Sequence, residues 1–261
     1  MDTGLTIRGG TDRGGKPEAI AFLTLGAGES LAVVGPTGSG KSEFLADLEQ
    51  AAAGDTPSGR IVTFYRDGKS VDGPGLAATL SQRTHFVMDA GVGEFLRLHA
   101  ASLGKDASRL AGQTVALANT LCGEPMSGDS LLQRLSGGQS RALMIADIAL
   151  VSDAPVVLID EVENAGIDKH LAVEILSGHG KITVIATHDP VLMLSGRKRL
   201  VMKEGGMRSL YEIDAAERLC LDRLNLLDKT LISARERLRA GERLPEDAFL
   251  CFNPHPAPSA G

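Results

Sequence analysis

The stretch SLAVVGPTGSGKSEFLADLEQ, residues 30–50, constrains the fold more than any other part of the chain. Leu31 to Val34 is a short apolar, largely β-branched run, the pattern of a parallel strand buried on both faces. Gly35, Pro36, Thr37, Gly38, Ser39, Gly40, Lys41 and Ser42 follow and satisfy G-x-x-x-x-G-K-[ST] in full. Phe44, Leu45 and Leu48 then recur at helical spacing. Strand, glycine-rich loop and helix in this order make a phosphate-binding loop. The glycines let backbone N–H groups turn toward a β-phosphate, and the helix N-terminus adds a favourable dipole. Lys41 is expected to reach the β- and γ-phosphates, and Ser42 to offer its hydroxyl to Mg²⁺. The chain is therefore expected to bind a nucleotide on an α/β scaffold.

Two further elements lie downstream. In DAPVVLIDEVE, the apolar strand Val156–Ile159 runs into Asp160 and Glu161. A carboxylate at the end of a buried strand can hold the Mg²⁺ shell, and a second one beside it can polarise an attacking water. Earlier in the chain stands Leu135, Ser136, Gly137, Gly138 and Gln139, directly ahead of the helical pattern Leu143, Ile145, Ala146, Ala149. Glycines are poor helix-interior residues, each costing about 1 kcal/mol. At a helix start they instead leave backbone N–H groups and a serine hydroxyl free for an anion. One chain cannot easily fold two such sites onto one phosphate, whereas two chains facing head to tail can.

With these elements in this order, residues 20 to 205 resemble the ATP-binding cassette (ABC) ATPases, whose signature is LSGGQ. The resemblance implies a P-loop NTPase fold: a mainly parallel sheet, an N-terminal antiparallel β part and an inserted α-helical subdomain over about residues 83–150. It implies ATP hydrolysis with ATP and Mg²⁺ in a sandwich dimer, either a homodimer or a paired ABC subunit. The signature of one subunit would then cap the γ-phosphate held by the other. It also assigns roles to single residues. Gln82 in TLSQRTHF resembles the glutamine that contacts Mg²⁺ and water at the edge of the helical subdomain, alongside Ser42 and Asp160 as metal contacts. Glu161 is implied as the general base. His188 in VIATHDP matches the switch histidine of the γ-phosphate, and Asp168 in NAGID the aspartate that couples the two active sites.

Four features depart from the family pattern. The segment from Val162 to Asp168 is one residue longer than usual and lacks a proline after the glutamate. Asp147 stands where many transporter subunits carry an arginine. The segment MSGDSLLQR lacks the acidic-glycine pattern of exporters. Finally, RGGTDRGGKPEA, residues 8–19, holds no aromatic where the family stacks adenine. The sole aromatic upstream of the loop, Phe22, reads as a core-facing strand residue. Arg8 or Arg13 could cover the base instead, GTP is expected to be hydrolysed within about tenfold of ATP, and a tyrosine at Asp12 is expected to tighten binding.

Composition bounds the partners. A net charge of −6 argues against a broad nucleic-acid surface. Three widely spaced cysteines, Cys122, Cys220 and Cys251, suit a reducing compartment. The first residues lack the apolar core of a signal peptide, and no 18-residue apolar run occurs. The expectation is a cytoplasmic protein without its own membrane span, held at the inner face of the membrane by an integral permease subunit that it energises. The alternative is a soluble ABC ATPase that remodels a protein or nucleic-acid complex. The ATPase domain is expected over residues 1–206 and a helical extension over 207–250. Within that extension Cys220, Leu224, Leu227, Leu231, Ala234 and Leu238 alternate at four- and three-residue steps. That stripe either packs on its own domain or meets a partner. Residues 251–261, rich in proline, read as a disordered tail.

Overall fold

The computed structural model of the chain describes residues 3–81, 86–160 and 166–245. Among them, the chain runs through β1 (Thr3–Arg8), β2 (Phe22–Gly26), β3 (Ser30–Val34), α1 (Lys41–Glu49), β4 (Ile61–Arg66), β5 (Lys69–Val71) and β6 (Ala77–Ser81). The helices α2 (Val92–Ser102) and α3 (Ala107–Leu121), a 3₁₀ turn (Leu132–Arg134) and α4 (Gly137–Leu150) follow. Then come β7 (Val156–Asp160), α5 (Lys169–Gly178), β8 (Ile182–Ala186), α6 (Pro190–Ser195), β9 (Lys198–Lys203), β10 (Gly206–Glu212) and α7 (Ala215–Arg239).

Two sheets result. One is antiparallel, in the order β2-β1-β4-β5. The other has the order β10-β9-β3-β8-β7-β6; β9 through β6 are parallel and β10 is antiparallel to β9. The parallel strands are buried on both faces, so alternate residues feed different cores. Val156 and Leu158 of β7 join Leu31 and Val33 of β3, Phe44 and Leu48 of α1, and the inward side chains of the antiparallel sheet. Val157 and Ile159 face the opposite way, into a second core shared with α2, α3, α4 and α5. The phosphate loop and the helical segment are thus rooted in different cores of one sheet.

The antiparallel sheet corrects one expectation. Leu23 and Leu25 of β2 are buried, whereas Phe22 is 66% exposed. In FLTL the core-facing residues are either Phe22 and Thr24 or Leu23 and Leu25, and a one-residue slip exchanges the faces. The second choice keeps the Thr24 hydroxyl out of the core, and pairing Ile7 with Leu23 and Leu5 with Leu25 fixes it.

Asp147 also finds its role here. It is buried on α4 and accepts a 2.8 Å hydrogen bond from Nδ1 of His99 on α2, tying two helices of the second core. That bond raises the His99 pKa above its ordinary 6.5; partial burial and the Lys105 charge oppose the rise, and the Asp147 and Asp153 charges assist it. Past the end of α4, Lys105 donates to the Val151 carbonyl, and Lys181 donates to those of Ser152 and Ala154 at 2.7 and 2.8 Å. Burial, then the charge of Lys105, brings the Lys181 pKa down to about 8. Because the folded His99 pKa is raised, its contribution is fully present below the ordinary value and is lost as pH rises through the folded one. His99→Gln should therefore lower Tm more at pH 6 than at pH 9. Equal deficits in thermal melts at the two pH values would mean that the pair carries no charge-dependent stability.

The contacts divide the chain after Ile213 rather than at residue 206. The reason is β10, which pairs along β9 from Gly206 to Glu212 and so belongs to the sheet. Asp214 onward forms a second unit built on α7. Along the stripe foreseen on this helix, Cys220, Leu227, Leu231 and Leu238 are exposed. Residues 251–261 lie outside the described residues.

Candidate nucleotide site

One row of the parallel sheet collects the site. Leu200 of β9, Val33 of β3, Ala186 of β8, Asp160 of β7 and Ser81 of β6 are consecutive register partners. Strands β3, β6, β7 and β8 end at this row or one residue past it, at the carboxyl edge where open α/β sheets bind ligands. Val34 and Gly35 lead into the phosphate loop, and Thr187 and His188 follow β8. Asp160, half-buried, is the last residue of β7. Gln82 and Glu161 come next in sequence after β6 and β7, and both lie outside the described residues.

The loop tolerates little but glycine at two points. Gly35 has φ +151°, and a Cβ there would stand 2.4 Å from the Met202 carbonyl oxygen and 2.6 Å from Ser39 Oγ. Gly40 has φ +103°, and a Cβ there would meet Gly205 Cα at 2.8 Å. Gly40 occupies the N-cap of α1 without a side-chain hydrogen bond, so the first-turn amides are left to another acceptor. Ser39 is buried and its hydroxyl has no hydrogen-bond partner. Pro36, Thr37, Gly38 and Ser42 are exposed.

Lys41 is 7% exposed. Its Nζ donates to the carbonyls of Gly35 at 2.9 Å and Pro36 at 3.4 Å, and lies 3.1 Å from His188 Nε2. The structure thus brings together two residues 147 positions apart that the sequence assigns to one phosphate. An uncapped helix start, a glycine cradle, an orphaned buried hydroxyl and an ammonium resting on loop carbonyls all suit a polyphosphate with its metal.

The signature behaves differently. Ser136 is the N-cap of α4: its Oγ accepts from Gln139 N–H at 3.3 Å, and Gln139 Oε1 accepts from Ser136 N–H at 2.9 Å. This reciprocal capping box explains why serine and glutamine flank the two glycines. Gln139 also donates Nε2 to the Glu124 carbonyl at 3.3 Å. Ser136 and Gly137 are exposed, while Leu135 packs against the helical core. Gly138 lies beside Gly166, whose Cβ would come 3.5 Å from Gly138 Cα.

Asp168 is the N-cap of α5, accepting from Leu171 N–H at 3.0 Å. The next residue, Lys169, donates to Asp189 Oδ2 at 2.6 Å, with 10% and 14% of the two side chains exposed. Asp189 in turn accepts from Val191 and Leu192 as the N-cap of α6, one residue past His188. Sequence reasoning missed this tie between the Asp168 and His188 segments. Its signal was His-Asp-Pro, a cap residue followed by proline at the first helical position.

The region without an aromatic also has a defined place. Arg13 Nη1 donates to the Gly38 carbonyl in the phosphate loop at 2.7 Å, and Arg13 N–H donates to the Glu204 carbonyl at 2.8 Å. Arg8 pairs with Phe22 in the antiparallel sheet and therefore shares its outer face. Asp12 closes its own loop, with Oδ1 accepting from Gly14 N–H at 2.8 Å and Lys16 N–H at 2.9 Å. A tyrosine at Asp12 would forfeit both bonds, so that position is unsuited to restoring an aromatic.

Comparison with known proteins bears on family and fold. The family model described as ABC transporter matches residues 21–164. An uncharacterized ABC transporter ATP-binding protein of Methanocaldococcus jannaschii is 46% identical over 252 residues, covering 93% of this chain and 95% of that one. The macrolide export ATP-binding/permease protein MacB of Bradyrhizobium diazoefficiens is 31% identical over 216 residues, 77% of this chain but 32% of that longer protein. Among solved structures, cbiO1 of Clostridium perfringens, part of the ABC transporter complex cbiONQ, superposes with a TM-score of 0.59 at 21% identity, covering 89% and 98% of the two chains. The ADP conformation of the cassette MJ1267 gives 0.58 at 16% identity, covering 85% and 95%. At such identities the structural matches speak for the fold. Fold, motif order and the close relative agree: this chain belongs to the ATP-binding cassette family of ABC transporters.

Proposed function

We propose that the chain hydrolyses ATP with Mg²⁺ as one half of a head-to-tail dimer and energises an integral membrane permease. The observation that carries the reading is the approach of Lys41 Nζ to His188 Nε2 at 3.1 Å. We read it as the γ end of the site, at the same sheet edge as Asp160. When ATP enters, Lys41 exchanges the Gly35 and Pro36 carbonyls for the β- and γ-phosphates, and the uncapped amides of α1 take the remaining oxygens. Ser42 and Asp160, with Gln82, would hold Mg²⁺, which supplies charge neutralisation between the phosphates. Glu161 takes the proton of the attacking water, and His188 steadies the γ-phosphate. A relative named as an ABC transporter ATP-binding protein and an export ATP-binding/permease protein support a permease as the partner.

The signature's position supports the dimer. Ser136 and Gly137 are exposed at the start of a helix rooted in the core that the phosphate loop does not share. A second copy can bring them to the γ-phosphate. Gly137→Asp tests this cleanly, because a Cβ at Gly137 meets Arg141 Nη1 no closer than 3.4 Å. An acidic residue in the first turn also suits the helix dipole, so the fold should persist. The variant should bind ATP as a monomer and lose most hydrolysis, and the wild-type specific rate should rise with protein concentration. A monomer that is fully active in sedimentation-checked assays would rule the dimer out. Purification of the native complex tests the partner: an integral membrane protein is expected, and a soluble complex would favour a remodelling ATPase.

A further inference from the structure

We infer that Lys169 is a positioning residue for His188, aiming the imidazole at the phosphate site through the carboxylate of Asp189. The inference rests on the reading of His188 given above and adds what holds that side chain in place.

The imidazole of His188 is exposed, although its Nε2 stands 3.1 Å from Lys41 Nζ. Its direction is therefore carried by the backbone on either side. On one side Thr187 is buried, and its N–H donates to the Val33 carbonyl of β3 at 3.3 Å. On the other, Asp189 N–H donates to Thr187 Oγ1 at 2.9 Å, so the chain turns tightly around His188. Both oxygens of the Asp189 carboxylate are then engaged. Oδ1 accepts from Val191 and Leu192 N–H at 2.9 and 3.2 Å, and Oδ2 accepts from Lys169 Nζ at 2.6 Å.

Capping alone does not require the lysine, because Oδ1 by itself serves the first-turn amides of α6. The ammonium adds a second tether, and it comes from a different element. Lys169 is the first residue of α5, whose Ala172, Val173 and Leu176 are buried in the same core as Leu192 of α6. Asp168 caps that helix through Leu171 N–H, so the lysine rises from a fixed point. With 10% and 14% of the two side chains exposed, salt screens the pair little. Any rotation of Asp189 that turns His188 away from Lys41 must break a short, charge-assisted hydrogen bond. Lys169 acts through Asp189 and not on the nucleotide.

Steady-state ATPase assays and equilibrium titration of the full chain with Mg-ATP test this. Lys169→Met should lower kcat about 10- to 100-fold, the scale of a misplaced catalytic group, and leave Mg-ATP affinity within about twofold. Asp189→Asn separates the tether from the cap, since asparagine caps a helix as well as aspartate but offers Lys169 no charge. It should reproduce the kcat loss, and it carries the same test if Lys169→Met folds poorly. Lys169→Arg, which restores a charged donor to Oδ2, should recover most of the rate. In a His188→Ala background, Lys169→Met should cost no further kcat, because two residues acting through one contact are not additive. Unchanged kcat in Lys169→Met, or a full further loss in the His188→Ala background, would overturn the inference, the second by showing that the lysine acts elsewhere. A His188→Ala variant that turns over like the wild type would instead sink the reading of His188, and this inference with it.

Discussion

Glu161→Gln is expected to bind ATP like the wild type and to turn it over about 10²–10⁴-fold more slowly, the usual consequence of losing a general base. The expectation is built on Asp160. That residue ends β7 in register with Ala186, two positions before His188, at the edge that holds the phosphate loop, and residue 161 is its next neighbour in sequence. Removing one proton acceptor there leaves Lys41, Ser42 and Asp160 to bind the nucleotide. In the proposed sandwich, which hydrolysis would reopen, the variant should also accumulate as an ATP-bound dimer, and sedimentation with and without ATP reads that directly. Glu163, two residues on, is the internal control, and Glu163→Gln should turn over normally. Near-normal turnover in Glu161→Gln, with a collapse in Glu163→Gln, would move the base by two residues and identify the longer Val162–Asp168 segment as its cause.

What the sequence made legible was whatever is local or ordered along the chain. The phosphate loop needed only one strand, one glycine cradle and one helix start, all within residues 30–50. The start of α4 lies within the four residues 136–139, where two glycines stand between a serine and a glutamine that cap each other. His188 could be assigned to the phosphate that Lys41 reaches because the resemblance implied it, and the structure puts the two side chains 3.1 Å apart. Phe22 failed because both frames of FLTL are apolar enough, and only pairing with β1 selects the one that exposes the ring. The end of the first unit failed because β10 is held by a partner strand rather than by its own composition. The tie from Lys169 to Asp189 spans 20 residues, and neither side chain signals it alone. Hardest to foresee was Arg60, whose partners lie 13, 42 and 145 residues away and include a backbone carbonyl that no residue pattern marks.

Arg60 is also where the largest loss of stability is expected. Its side chain is fully buried, and its guanidinium reaches Glu18 Oε1 at 2.6 Å, Asp47 Oδ2 at 2.8 Å and the Gly205 carbonyl at 2.5 Å, 5.3 Å from the centre of the Phe44 ring. Burial opposes the charge, but Glu18 and then Asp47 more than offset it and hold the pKa above the ordinary arginine value. Glu18 also accepts from the N–H groups of Met207 and Gly10, and Asp47 from the Ser58 hydroxyl. One cation therefore joins α1, the loop carrying Arg13 and the β9–β10 turn. Arg60→Met would leave two carboxylates buried without a counter-charge, which typically costs about 3–5 kcal/mol and on the order of 10 °C in Tm for a chain of this size. Lysine would not substitute, since a point charge cannot span Glu18, Asp47 and Gly205 together. The penalty comes from the abandoned carboxylates rather than from the arginine's own packing, so it should shrink when they are neutralised. Arg60→Met introduced into a Glu18→Gln, Asp47→Asn background should cost much less than in the wild type, as coupling within one network requires. Equal costs in the two backgrounds, measured by denaturant unfolding, would show that Arg60 stabilises the chain through its contact with Phe44 and not through its charge.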